Sequence, residues 1–553
     1  MTRARRNALV GLLFGGAMIW FIFLPSFAGP RFGFDFRPPV ALPVALVFVG
    51  LIGLGRWRLG FVARWLLALL LLLVALLQFA DGGVARILDR PLDLYFDLRH
   101  VPNLIGLYLD ATGRVSGSFV ILGIALALLV VWALLASGLG AMAEAAWRPT
   151  MAAGAIVVGL IGLMVAVLPL GVWEPVNRGA ATSFGRQVAL SWREFAVLHG
   201  FDHRYDAALA ARQREPGQLP GLAGHDVYLV YIESYGTVGL DDPAYRQILA
   251  PAFAEFASTV TAADYQLVAS RFLSPTYGGG SWLAHGTMAS GVKLDQLLSE
   301  LVVNGNRKSL PRYLSAAGYR TVEVMPGIKD PYPEGVFWGF DAHYYAAELG
   351  YTGPEFGWFD VPDQYTLREF AARELKPGHA PLFAQIVLVS SHTPFAPVPP
   401  YLADWSDAGA FDTVPKADWP RIYAQPDWND LDRPYLDSIA YDLKTLGHWL
   451  AGLDGAPLVI ILGDHQPPDL TRGANGSWTV PVYALSRDAA LLKPFIAQGF
   501  IAGDEPPATD HPAGMENFLG AFLDAYGPNS VPEPASAPPQ IHDALSSSPP
   551  SRE

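Results

Sequence analysis

VYLVYIESYG (227–236) and LVIILGDHQPP (458–468) decide the fold of this chain. Each opens on an unbroken apolar run, the pattern of a strand buried on both faces of a parallel sheet. Each then breaks abruptly into charged and turn-forming residues. YRTVEVM (319–325) and LFAQIVLV (382–389) repeat the apolar pattern. Helical stretches lie between these runs. SLPRYLSAAG carries Pro311 early and Gly318 at its stop, and YLDSIAYDLKTLGHWLAGL (435–453) runs directly into LVIIL. Strands alternating with helices predict a doubly wound α/β domain, whose ligands bind beyond the carboxyl ends of the strands.

The polar residues sit at those ends. Glu233 follows the first run, Ser391 and His392 follow LFAQIVLV, and Asp464 and His465 follow LVIILG. Taken singly, Glu233 reads as a helix cap and Asp464 as the start of a turn. Together, on separate strand ends, they read as a site. Buried charges are costly unless paired or metal-bound, and oxygen ligands with an imidazole suit Mn2+, Mg2+ or Zn2+. SPTYGGGSWLAHGTMASG (274–291) supplies a fourth element. Its three glycines allow a tight turn close to a ligand, and Ser281 then begins a helix whose free N–H groups favour an anion. A metal that lowers its hydroxyl pKa would make Ser281 a nucleophile toward phosphorus.

Upstream the chain changes character. Five apolar runs, at 8–27, 38–55, 61–80, 117–138 and 152–173, approach or exceed the length of about 20 residues that spans a bilayer. The first follows Arg3, Arg5 and Arg6 as a signal peptide would, but four more follow it, which favours a retained span. With five spans, those arginines share a side with Arg56, Arg58 and Arg64 and with Arg148, and the positive-inside rule makes that side cytoplasmic. Residues 82–116 mix Arg and Asp with apolar residues and read as an interfacial helix rather than a sixth span. We therefore expect a transmembrane domain at 1–174, a juxtamembrane helix and linker at 175–220, an extracytoplasmic catalytic domain at 221–525, and a disordered Pro/Ser-rich tail at 526–553.

Charge divides the chain at the same place. Residues 1–175 hold 13 Arg, no Lys and 8 acidic residues, a balance of +5, and the remainder carries −18. The acidic second half argues against a nucleic-acid binder. Among 553 residues there is no cysteine, which excludes a disulfide scaffold, Cys-ligated metal centres and a thiol nucleophile.

VYIESYG, GGGSW…SG, SLPRYLSAAGY, FWGFD, SHTPF, the YLDSIAYDL helix and LGDHQPP occur in an order that resembles the sulfatase-like branch of the alkaline phosphatase superfamily. With five spans in front, the chain is similar to membrane enzymes of the lipoteichoic acid synthase and phosphoglycerol transferase type. The resemblance implies one divalent metal, Mn2+-like in the synthases with Mg2+ or Zn2+ as alternatives, held by Glu233, Asp464, His465 and the nucleophile Ser281. It implies that His392 contacts the substrate phosphate or leaving group, and that Trp338 and Asp341 shape the head-group pocket. Ser290-Gly291 keeps the spacing from the nucleophile to a later hydroxyl-Gly pair. Three positions depart from the pattern: Ser281 stands where Thr is usual, His285 where relatives often carry an acid, and Phe340 where the synthases have a phosphate-binding Arg. His285 is a candidate substrate-binding or proton-handling residue.

The implied reaction moves a phospho-alcohol head group, phosphoglycerol in the nearest resemblance, from a phospholipid to a glycan or lipid acceptor through phospho-Ser281. The bilayer is then a partner and the inner membrane the location, with the catalytic domain on the periplasmic side. A formylglycine sulfatase is disfavoured, because no Cys is present and Ser281 lies in SWLAH rather than a C/S-x-P-x-R context. A phosphoethanolamine transferase, a hydrolase releasing product to water, and an inactive membrane scaffold or sensor are the alternatives.

Overall fold

The computed structural model describes residues 3–26, 33–168, 176–200, 217–305, 307–329, 332, 335–354, 356, 361–405, 430–468 and 477–528. The chain divides into two compact units, Met1–Ala196 and Val197–Glu553.

Helices occupy all five expected apolar positions of the first unit: α1 (Arg3–Ile22), α2 (Ala41–Leu54), α3 (Phe61–Leu88), α4 (Arg114–Ala146) and α5 (Pro149–Val167). Among the described residues, α3, α4 and α5 are long and apolar enough to cross a membrane, whereas α2 is a 14-residue apolar helix. The span expected at 61–80 continues to Leu88, so the first part of the stretch read as interfacial belongs to α3. Small residues let these helices approach closely, as in membrane bundles generally. A Cβ on Gly15 of α1 would fall 2.3 Å from Met142 of α4, and one on Gly53 of α2 would fall 2.2 Å from the Ala146 carbonyl oxygen. A further helix, α6, spans Gly179–Leu198. Tyr526 ends the last helix, and 529–553, most of the expected tail, lies outside the described residues.

The second unit is built on a nine-stranded sheet. Its strands are β1 (Val227–Ile232), β2 (Gln266–Leu273), β3 (Arg320–Met325), β4 (Ala342–Tyr345), β5 (Leu382–Leu388), β6 (Leu458–Gly463), β7 (Thr479–Ser486), β8 (Ile501–Ala502) and β9 (Ala513–Gly514). They lie in the order β8-β2-β7-β6-β1-β5-β3-β4, with β9 beside β2. The four runs read as strands are the contiguous parallel centre β6-β1-β5-β3, extended by β4. Beyond β6 the sheet turns antiparallel through β7. Every residue of β1, β5 and β6 is buried, as expected for strands covered on both faces.

Alternation sorts the side chains of β1. Tyr228, Val230 and Ile232 join a core with Phe256 of α7 (Pro243–Ala262) and Leu446 and Trp449 of α9 (Asp432–Ala451). Tyr231 points the other way and meets His285 of α8 (Ser281–Ser290), with ring centroids 4.2 Å apart. The chemistry-bearing helix α8 thus lies on the face opposite α7 and α9, beside the carboxyl ends of β1 and β6.

Candidate active site

Three strand ends and one helix start converge. Glu233 leaves β1 with its N–H donated to the Leu388 carbonyl at the end of β5, and Ser234 then takes a positive φ of 56°, turning the chain out of the sheet. Asp464 leaves β6 alongside. Its Oδ1 accepts the backbone N–H groups of Ser234 at 2.8 Å and His465 at 2.7 Å. Its Oδ2 is buried and has no hydrogen-bond partner. One oxygen therefore builds the loop, and the other is presented to the site.

Ser281 is the first residue of α8 and follows Gly278, Gly279 and Gly280, all at positive φ. Only glycine adopts three such conformations in succession at low cost. The Gly278 N–H donates to the Gln466 carbonyl, tying this turn to the loop after β6. The Ser281 hydroxyl donates to Glu233 Oε2 at 2.9 Å and lies 3.2 Å from His465 Nε2.

The donor set fits a cation. Glu233, Asp464 and His465 offer ligand atoms within 4.8 Å of one another, all on buried residues. His465 Nδ1 faces the Gln466 carbonyl at 2.8 Å, and a carbonyl only accepts, so a proton sits on Nδ1 and Nε2 points inward. Nε2 faces Glu233 Oε1 at 3.2 Å, a contact satisfied either by a second ring proton or, in the neutral ring, by a cation between the two atoms. The electrostatics of the bare residues register the same strain. Burial, and then the neighbouring Glu233 carboxylate, push Asp464 upward. Burial also works to raise Glu233, but the hydrogen bond and charge of His465 outweigh it and hold that carboxyl well below its usual range. His465 rises because the Asp464 and Glu233 charges outweigh its burial. Without a metal, the cluster recruits protons to balance its charge.

His392 follows β5 on a tightly held turn. Asp363 accepts the N–H groups of Val389 and Ser390, both at 2.8 Å, and the Ser391 hydroxyl donates to the Glu233 carbonyl. His392 Nδ1 donates to the Thr393 carbonyl at 2.7 Å, and burial lowers its pKa. His285 is buried with both ring nitrogens unpartnered, and its Nε2 lies 3.9 Å from the orphan Asp464 oxygen. Burial drives it down to about 4, so it is a neutral imidazole at the edge of the cluster.

Beside α8 opens a cavity lined by Trp282, His285, Trp338 and Phe340, with Glu323 and Gln385. Trp338 is among its lining residues. Asp341 does not line it. Its Oδ2 accepts from the Thr321 N–H at 2.8 Å and its N–H returns to the Thr321 carbonyl, a clamp between β3 and the start of β4. Glu323, Gln385 and Tyr332, which also line the cavity, are missed by sequence reasoning. The one signal that could have found them is a lone carboxylate inside the apolar run YRTVEVM.

Comparison with known proteins agrees with the resemblance. Residues 299–478, about a third of the chain, match the family model described as Sulfatase. Among curated proteins none matches the chain. Similar solved structures include the integral membrane lipooligosaccharide phosphoethanolamine transferase A from Neisseria meningitidis, at 14% identity, covering 92% of this chain and 95% of that one with a TM-score of 0.45. The lipoteichoic acid synthase from Listeria monocytogenes has 15% identity, 59% and 77% coverage and a TM-score of 0.36. The Streptococcus pyogenes phosphoglycerol transferase has 12% identity, 64% and 90% coverage and a TM-score of 0.34.

Proposed function

We propose that the chain is a metal-dependent membrane phosphotransferase of the sulfatase family that moves a phospho-alcohol head group from a phospholipid to a glycan or lipid acceptor through phospho-Ser281. The observation that carries this reading is the Ser281 hydroxyl, at the mouth of a glycine turn and within 3.2 Å of both Glu233 and His465. Glu233, Asp464, His465 and Ser281 would hold one divalent ion, Mn2+, Mg2+ or Zn2+, which when bound supplies positive charge against the serine oxygen and the phosphoryl oxygens.

The remaining roles belong to the chain. The Gly278–Gly280 turn presents Ser281 at the N-terminus of α8, where backbone N–H groups favour a phosphate. Attack forms the Oγ–P bond and breaks the P–O bond to diacylglycerol, whose oxygen takes up one proton as the serine gives one up. The acceptor hydroxyl then attacks phosphorus, loses its proton and frees Ser281. His392, with Nδ1 fixed on Thr393, serves these exchanges through Nε2. Water in place of the acceptor would give a hydrolase with the same residues. Three helices long and apolar enough to cross a membrane favour transfer, since a membrane anchor would keep such an enzyme near lipid donors.

The test is release of diacylglycerol from labelled phospholipid vesicles by the full-length protein, with metal analysis of the same preparation. We expect about one divalent ion per chain, and Ser281→Ala should lose at least about a thousandfold in rate while remaining folded. Full activity in that variant would remove the nucleophile, and two ions per chain would mean that the metal site is misread. Labelled product on a glycan or lipid separates transfer from hydrolysis.

A further inference from the structure

Helix α6 (Gly179–Leu198) buries a polar face and leaves an apolar one open, the reverse of a helix on a water-soluble protein. Ser183, Gln187 and Glu194 are buried, Glu194 completely. Phe184, Val188, Trp192 and Phe195, spaced as one stripe along the helix, are all exposed, Trp192 by 70%. Arg186 stands two positions from both Phe184 and Val188, which turns it to the far side of the helix from the stripe. The helix therefore has three sectors: polar toward the protein, apolar on one open flank and basic on the other.

The buried sector is fastened to one carboxylate. Asp81, buried near the end of α3, accepts the Ser183 hydroxyl on Oδ2 and the Leu92 N–H at 3.0 Å on Oδ1. Arg186 Nη1 lies 3.2 Å from the same Oδ2. Gln187 closes the network by donating to the Leu92 carbonyl and accepting the Leu94 N–H at 3.0 Å. A buried carboxylate is costly without such partners, and here they fix α6 at a set level on α3.

That level is where a bilayer would end. Asp81 lies twenty residues beyond Phe61, the first residue of α3, or about 30 Å along the helix, and the hydrocarbon core of a bilayer is about 30 Å thick. Arg56 and Arg58 precede α3 and mark the other boundary. Between the two, Val62, Leu66, Leu70 and Leu73 continue an exposed apolar surface along α3. Tryptophan favours a membrane boundary, where its ring meets acyl chains and its N–H meets polar groups.

We propose that α6 lies in the bilayer boundary remote from Arg56 and Arg58, with the stripe of Phe184, Val188, Trp192 and Phe195 among acyl chains and Arg186 toward the phosphate head groups. Asp81 is a positioning residue that holds the helix at that depth. This placement depends on the first unit spanning a bilayer and not on phosphotransfer.

Because the chain has no cysteine, one introduced thiol carries a fluorescent probe to a single position. Full-length protein with Val188→Cys on the stripe, Thr182→Cys on the basic side of α6, or Arg433→Cys on the exposed surface of the catalytic unit is labelled and reconstituted in vesicles of phosphatidylethanolamine and phosphatidylglycerol. Quenching is read with nitroxides on the acyl chains and with iodide in the water. The nitroxide should quench the probe at 188 several-fold more than at 433, and iodide several-fold less, with 182 between them. Iodide quenching at 188 equal to that at 433 places the stripe in water, and protection from both quenchers places it against protein, such as a second copy. Either result overturns the proposal. Asp81→Ala should raise iodide quenching and lower nitroxide quenching at 188 while the probe at 433 reports no change. Asp81→Asn, which keeps one acceptor oxygen, should shift both signals less in the same direction. Wild-type quenching at 188 in both Asp81 variants would remove Asp81 from the positioning role.

Discussion

At the scale of single residues, Asp464 shows how a site can be built at the expense of the empty protein. One of its oxygens holds two backbone N–H groups and the other is buried without a partner, while Glu233 crowds it from the strand alongside. A bound cation relieves that crowding, so the metal should stabilise the fold. At a hundredfold excess over Kd the linkage amounts to about 2.7 kcal/mol, which a chelator would remove as a shift of several degrees in thermal unfolding. Asp464→Asn keeps an oxygen for the two N–H groups and removes the like charge. It should abolish metal binding and activity, yet melt no lower than chelated wild type; a variant that melts well below it would mean that Asp464 serves the fold more than the ion. His392 carries a prediction of opposite electrostatic origin. Burial lowers its pKa, so the neutral base form persists to lower pH than for an ordinary histidine, and nearby bound metal pushes in the same direction. The acidic limb of kcat/KM should therefore fall below about pH 6.5, with activity rising as pH increases through it. His392→Gln should lose about a hundredfold or more and flatten that limb, whereas a purely structural His392 would leave the limb in place.

Among the elements, legibility in the amino-acid sequence follows how local each pattern is. β1 and β6 are legible because strands covered on both faces are apolar throughout, and β3 and β5 because only Arg320, Thr321, Glu323 and Gln385 interrupt the same pattern. β4 is only four residues of mixed polarity, and β2 carries Arg271 within it. β7 contains Pro481, which normally speaks against an interior strand. Pro481 falls opposite Arg271, outside the ladder that β7 makes with β6, so its missing N–H is tolerated there. Glu233, Ser281, His392, Asp464 and His465 are legible as candidates because each closely follows a strand or a glycine turn. Glu323 is not, since its partners at 343, 345 and 385 reach it through register alone. The loops themselves depend on close approach of backbones. A Cβ on Gly463, the last residue of β6, would lie 1.8 Å from the Tyr235 carbonyl oxygen. Gly463→Ala must therefore push apart the turns that carry Glu233 and Asp464. We expect a loss of metal affinity and of at least about a hundredfold in rate, because second-sphere displacements of metal ligands cost about 10–100-fold or more. Unchanged metal titration in that variant would show that the two turns are free to adjust.

For the molecule as a whole, the distribution of arginines becomes an argument about sides of a membrane once the helices of the first unit are laid together. Arg56 and Arg58 lie in the turn between α2 and α3, and Arg148 lies in the turn between α4 and α5. These turns meet, because the Arg58 guanidinium sits 4.9 Å from the Trp147 ring centroid. Gly11 and Gly15 of α1 pack on Ala141 and Met142, near the end of α4, which brings Arg3, Arg5 and Arg6 to the same end of the bundle. At the other end, Pro39 pairs with Asn177, joining the entry to α2 with the chain beyond α5. Three arginine groups thus mark one end of the first unit, and Asn177 lies at the opposite one. Lys and Arg near helix ends remain cytoplasmic, so the catalytic unit is expected outside the cytoplasm, with α1 and α2 completing five spans beside α3, α4 and α5. A reporter joined after residue 528 should be active when it is of the kind that folds only outside the cytoplasm, and a cytoplasm-dependent one should be silent. Replacing Arg56, Arg58 and Arg148 by Ser should weaken the preference and yield a mixed population. A reporter active only in the cytoplasm would overturn the five-span topology and would separate the site from any outer-leaflet donor.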